Sequence, residues 1–217
     1  MTILRTPRNT VQPHLDPDSA ASLAEFFDQV ITDIREQMAA LDGIHAQLDA
    51  DAGVTDTDYA ANNDPAAQTA LESLLSFQRG LGGSGLLDTD YHAFSAAVLA
   101  DLTAIEASIE LTTAKLDADA GVTDTDYAAT WNPDSPTVTA DSFAQFETRN
   151  TVAPMVLAAD FANIITFSSE CETDVDVMRA AIVGITAKLD LDAGVTDTTY
   201  AASNDPAAAV TTVLTAS

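Results

Sequence analysis

The chain has 217 residues, 34 of them acidic and 8 basic, so its formal net charge is −26. An acidic excess of this size argues against nucleic acid and anionic membrane surfaces as partners, because both would repel it. The single cysteine cannot form a disulfide framework, and no apolar run approaches the roughly 20 residues of a membrane span. Without a signal peptide, the chain is expected to be made in a cytoplasm.

Residues 1–17 are the first predicted element, an extended N-terminal arm. The segment holds three prolines and has no apolar periodicity. It contains Arg5 and Arg8 but no acid before Asp16, in a chain that is otherwise strongly acidic. We interpret Arg5 and Arg8 as candidate contacts to an acidic surface, either on a neighbouring copy or on the chain's own bundle. The residues leave both alternatives open.

Three long helices follow, because apolar residues recur at steps of three and four. In the third helix these steps alternate without a break from Leu157 to Leu189, which favours coiled-coil-like packing. The fold class expected is all-α, with long amphipathic helices in an elongated bundle over 18–217. The long helices are predicted at 18–50, 89–118 and 154–189, shorter helices at 66–79, 141–148 and 206–214, and a short extended connector at 130–141.

A fourteen-residue segment ends each long helix. It reads L-D-A-D-A-G-V-T-D-T-D-Y-A-A at both 48–61 and 116–129, and L-D-L-D-A-G-V-T-D-T-T-Y-A-A at 189–202. We interpret it as a helix end, a tight turn and a helix start. The glycine can adopt a left-handed conformation after the helix, and Thr55, Asp56 and Thr57 are suitable N-cap residues.

These segments define three internal repeats, which we place at 18–63, 86–131 and 154–204. Repeats in one orientation could mimic threefold symmetry within a single chain. Alternatively, the apolar faces could close across chains in a homo-oligomer.

The acids of the repeated segment suggest a rival interpretation, a calcium loop. An EF-hand loop needs a third acid before its glycine and a glutamate at position twelve, and this segment has neither. Capped turns explain more of the positions, so we predict no metal and no other cofactor. The weak calcium candidates are Asp49, Asp51, Asp56, Asp58, Asp117, Asp119, Asp124 and Asp126.

No set of side chains suggests catalysis. The three histidines, His14, His45 and His92, are scattered, and His45 is interpreted as a residue at the edge of the core. Cys171 lies on the apolar face of the third helix, where a free thiol acts as a small hydrophobe. We therefore predict no catalytic residue and no enzymatic activity. Trp131 is a candidate contact residue, to a partner or to its own domain.

The segment 115–129, K-L-D-A-D-A-G-V-T-D-T-D-Y-A-A, resembles one in structural proteins of tailed phages, especially marine ones. Residues 47–61 and 188–202 are a weaker and a variant copy. The resemblance implies a non-enzymatic virion protein, made in the host cytoplasm, that decorates or cements the capsid or belongs to the neck or tail. Its implied partners are other virion proteins and copies of itself. The alternative is a calcium-dependent acidic surface or adhesion module.

Overall fold

The structure is a computed structural model that describes residues 17–70, 87–140 and 158–209. Arg5, Arg8 and the helix predicted at 141–148 lie outside these ranges. The predicted all-α fold is confirmed, because the described residues form helices and no strand. The long helices are α1 (Pro17–Ala50), α3 (Leu87–Ala118) and α5 (Ala158–Leu189), and the short ones are α2 (Tyr59–Asn63), α4 (Tyr127–Trp131) and α6 (Tyr200–Asn204).

The three long helices are parallel and in register. A residue of α1 corresponds to the residue 68 positions later in α3. A residue of α3 corresponds to the residue 73 positions later in α5. Near the amino-terminal end, the ring of Phe167 packs edge-on against those of Phe26 and Phe94, with centroids 6.3 and 6.2 Å apart. At the carboxy-terminal end, the glycines of the three repeats touch. The helices therefore run side by side in the same direction.

The apolar residues predicted for the helix–helix contact form one continuous core. They occupy matching layers of the three helices, and almost all are fully buried, so each layer removes apolar surface from water on every helix at once. Examples of such layers are Ile34, Leu102 and Val175; Leu41, Ile109 and Ile182; and Leu48, Leu116 and Leu189.

After each short helix, an extended segment runs back along the bundle. Asp64 contacts His45 near the end of α1, and Thr69, five residues later, bonds to Asp101 in the middle of α3. The helix predicted from residue 66 is therefore wrong over 66–69, where these bonds hold the chain extended.

The second and third return segments, 132–140 and 205–209, are also free of helix. The first of these is the predicted connector, and Thr137 ties it to Asp174 in α5. The helix predicted from residue 206 is wrong over 206–209, which Arg179 holds through a hydrogen bond to the carbonyl oxygen of Ala207.

Across the described ranges, the helices lack the combination of length and apolar character that crossing a bilayer requires.

Candidate functional site

Three glycines meet where the long helices end. A Cβ atom built on Gly121 would lie closer than 3.0 Å to the carbonyl oxygen of Gly53. The same holds for Gly53 against Gly194 and for Gly194 against Gly121, so the contacts form a closed cycle. None of the three has a φ in the left-handed region, so the predicted left-handed conformation is wrong. Glycine is required here because the backbones approach too closely for any side chain.

A carboxylate at each turn binds the backbone of the neighbouring turn. Asp119 accepts hydrogen bonds from the amide and hydroxyl of Thr55, at 3.0 and 2.7 Å, and from the amide of Asp56, at 2.8 Å. It also accepts one from the amide of Gly121 in its own turn, at 2.7 Å. One side chain thus joins the first repeat to the second.

The same bonds recur at the other two junctions and close a ring. Asp192 of the third repeat binds Thr123 and Asp124 of the second. Asp51 of the first repeat in turn binds the third repeat, at the amide and hydroxyl of Thr196 and the amide of Asp197. We call Asp51, Asp119 and Asp192 the ring aspartates. Each repeat therefore donates to the next one and accepts from the previous one.

The ring aspartates are held in the ionised form. Burial alone would raise the pKa of these carboxyl groups, but the hydrogen bonds from threonine and backbone amides outweigh it. The pKa of Asp51 and of Asp192 is lowered to about 2, and that of Asp119 is also lowered. Buried tyrosines face the same carboxylates, and both burial and this negative charge raise the pKa of Tyr59, Tyr127 and Tyr200.

A second aspartate in each repeat starts the short helix. Asp49 accepts hydrogen bonds from the amides of Tyr59 and Ala60, at 2.6 and 3.1 Å. Asp117 and Asp190 do the same for α4 and α6. The predicted caps at 55–57 are therefore wrong. The N-cap residues make no side-chain cap bond, because a carboxylate at the end of the preceding long helix satisfies these amides.

Lysines cover two of the three junctions. Lys115 of the second repeat pairs with Asp56, at 3.3 Å, and with Asp58 of the first, and its ammonium lies 4.3 Å from the ring centroid of Tyr59. Lys188 makes the equivalent contacts to Asp124, Asp126 and Tyr127 at the next junction. These pairs add charge complementarity around the ring.

The third junction differs at both partners. Gln47 stands where the other repeats have lysine, and Thr199 stands where they have a second acid. The Gln47 amide donates to the Thr199 hydroxyl at 3.3 Å, and its oxygen accepts from the amide of Asn204 at 2.6 Å. The departures at positions 47 and 199 are therefore partners in space.

All eight weak calcium candidates lie in this ring and have protein partners. Four accept backbone or threonine hydrogen bonds, and four pair with lysine. Within the described ranges, no three histidine, cysteine or acidic side chains converge on a point that could hold a metal ion.

Several residues of the ring were missed from the sequence. Asp190, Asp192, Lys115 and Lys188 occupy the same repeat positions as residues of the other copies, and this equivalence is the signal that could have identified them.

The remaining candidate residues lie away from the ring's contacts between turns. The indole of Trp131 is half-buried against Gly184 of its own chain, where a Cβ atom would collide with it. His45 is fully buried rather than at the core edge. Its ring nitrogens contact Asp64 and Thr112, at 2.7 and 2.6 Å, and burial lowers its pKa. Burial raises the pKa of the Cys171 thiol, which suits its apolar position.

Comparisons of the chain with models of protein families, with curated proteins and with solved structures found no match. The ring is therefore interpreted from its own geometry. The ring holds the three long helices together at one end, because its carboxylates, amides and ammonium groups make contacts between repeats.

Proposed function

We propose that this chain is a non-enzymatic structural protein of the particle of a tailed virus, as a capsid decoration or cement protein or as a head–tail component. The observation that carries the proposal is the closed ring formed by the ring aspartates. The charged side chains of the ring form hydrogen bonds and ion pairs between the three repeats, as expected of a protein whose role is mechanical.

The ring gives one chain the shape of a trimer. Each repeat contacts both others through equivalent bonds, as a subunit does in a cyclic assembly. The 34 residues of α1 correspond to a rod of about 50 Å. A parallel rod fastened at one end is suited to spanning or clamping larger subunits, and other virion proteins and copies of itself are its proposed partners.

The resemblance of the turn segment to structural proteins of tailed phages supplies the virion setting. In this chain, that segment is the part of the sequence that builds the ring. A segment reused as a fastening element among assembly proteins would be expected in different positions of a particle. The same reasoning favours the structural role over the calcium-dependent module, because calcium would have to displace bonds already made by the carboxylates.

The test is quantitative mass spectrometry of purified virus particles from the source culture, with the capsid protein as the internal reference. We expect the chain to be present at a fixed ratio. A ratio near one per capsid subunit would support decoration or cementing, whereas a few to a dozen copies per particle would support the neck or tail. Absence from the particles would refute the proposal.

A further inference from the structure

The junction between the third and first repeats carries an open cleft. It has a volume of about 430 Å³ and is lined by the end of α1, including Gln47 and Ala50, and by the turn residues Thr196, Asp197 and Thr198. At the other two junctions a lysine amine occupies the equivalent position. The cleft therefore lies where the repeat lacks its cation.

The two junctions that contain a lysine show which kind of group the third junction lacks. Asp56 and Asp124, the counterparts of Asp197, each pair with an ammonium group at 3.3 and 3.2 Å. Among the described residues, no lysine or arginine pairs with Asp197. Its carboxylate accepts from the amide and hydroxyl of Thr199 and interacts with the neutral side chain of Gln47. A cationic side chain supplied from elsewhere would complete the third junction in the manner of the first two.

We propose that this cleft binds the basic N-terminal arm of a second copy of the chain, through Arg5 or Arg8. The arm has two arginines and no acid before Asp16, so it complements a surface whose acid lacks a cation. An arginine can add a charge-assisted hydrogen bond to the Asp197 carboxylate, which has only neutral partners in the described residues, and its planar group can lie over Gln47 and Ala50.

Chain length favours a second copy over the chain's own arm. The cleft lies at the far end of α1, and the 30 residues from Pro17 to Gln47 span about 45 Å of helix. Arg8 is nine residues before Pro17, so its backbone reaches at most about 32 Å and falls short of the cleft. The backbone of Arg5 reaches at most about 43 Å, so its side chain meets the cleft of its own chain only if the whole arm is fully extended. Binding between copies would join the amino-terminal end of one bundle to the ring end of the next, which is a head-to-tail contact.

The inference rests on the proposed assembly of the chain with copies of itself but not on the location in a virus particle. Its test uses purified protein, whereas the particle assay tests location, so the two can fail separately.

The experiment titrates a fluorescent peptide of residues 1–16 into the full-length R5Q/R8Q protein, whose own arm does not compete. We expect saturable binding that salt weakens and that the R5Q/R8Q peptide does not show. Gln47→Lys places an ammonium in the cleft, as in the other junctions, and should abolish binding. Asp197→Asn should weaken it about fivefold, the upper range for an exposed ion pair.

The matched control is Thr103→Lys, which adds the same charge on an exposed face of α3 away from the cleft. It should leave binding unchanged. Equal binding by the Gln47→Lys and Thr103→Lys variants would overturn the assignment of the cleft, as would no binding at all. If the wild-type protein at nanomolar concentration binds the peptide more weakly than the R5Q/R8Q protein, the chain's own arm fills the cleft and the second-copy assignment is wrong.

Discussion

The glycine contact at the centre of the ring can be tested by replacing Gly121 with alanine. The new Cβ would collide with the carbonyl oxygen of Gly53 and lie 3.1 Å from the amide nitrogen of Thr55. These are backbone atoms, so they cannot rotate away as a side chain could. The first and second turns must separate, and the hydrogen bonds that join them at Asp119 must lengthen.

The expected loss follows from these two effects. Overpacking in a tight site costs about 1–3 kcal/mol. A weakened hydrogen bond to a charged group adds about 1.5–3 kcal/mol. The alanine also restricts the unfolded chain, which stabilises the folded state by about 0.4–1 kcal/mol and offsets part of this loss. We therefore expect the free energy of unfolding to fall by about 3–4 kcal/mol, which lowers the melting temperature of a chain of this size by about 10 °C.

Urea and thermal unfolding followed by circular dichroism would measure this loss. Gly43→Ala is the matched control, because Gly43 lies within α1 and its nearest neighbour is the flexible side-chain amide of Asn204. That amide can rotate away at the cost of its hydrogen bond to Gln47, about 1 kcal/mol, and alanine is the better helix former by about the same amount, so the control should stay within about 1 kcal/mol of wild type. Equal midpoints for the two variants would refute the role assigned to the backbone contact.

Three further predictions concern the charges of the ring. The pKa of Asp51 and Asp192 falls to about 2 on folding, so their ionised form stabilises the fold above pH 4. This contribution to the free energy of unfolding, about 2 kcal/mol for each aspartate, should disappear as the pH drops from 4 to 2. Asp192→Asn should therefore destabilise at pH 7 and flatten that part of the curve of unfolding free energy against pH; an unchanged curve would contradict it. Thr199→Asp alone should destabilise slightly, and adding Gln47→Lys should restore stability, with a favourable coupling of about 0.5–1 kcal/mol in a double-mutant cycle and a coupling of zero as the contrary result. Calcium and EDTA should leave the melting temperature unchanged, because the candidate carboxylates already accept protein hydrogen bonds or pair with lysine. A rise in melting temperature on adding calcium would favour the alternative module.

The long helices could be predicted closely from the sequence. The first was expected at 18–50 and is Pro17–Ala50, and the second was expected at 89–118 and is Leu87–Ala118. Apolar steps of three and four are a local signal that one helix carries by itself, which explains this success. The end of each helix was also correct within a few residues, because the repeated segment marks it.

The turns were predicted less well, because their contacts are not local. Gly53 resembles an ordinary helix-ending glycine, but it is required by a carbonyl oxygen of Gly194, which is 141 positions away in the chain. Asp51 resembles a solvent-exposed acid or a calcium ligand until its partner Thr196 is known. Closure within one chain was one of two alternatives, and periodicity alone could not decide between them.

The extended return segments show a second limit. Asp64 followed by proline is a common helix start, and from the sequence it predicted one. In the structure the Asp64 carboxylate binds His45, and the amide of Thr69 binds Asp101. Two buried polar side chains on the long helices thus override a local preference, and neither can be recognised as a partner from its own neighbourhood in the sequence.

The lysine pairs around the ring also decide which repeat follows which. In the observed order, the two turns with paired acids meet Lys115 and Lys188, and Thr199 meets Gln47. In the opposite cyclic order, Asp124 and Asp126 would face Gln47 without a cation. Three repeats with nearly the same turn could otherwise close in either sense around the axis. The residues at 47 and 199, where the third junction departs from the other two, therefore favour the observed order of the repeats around the axis.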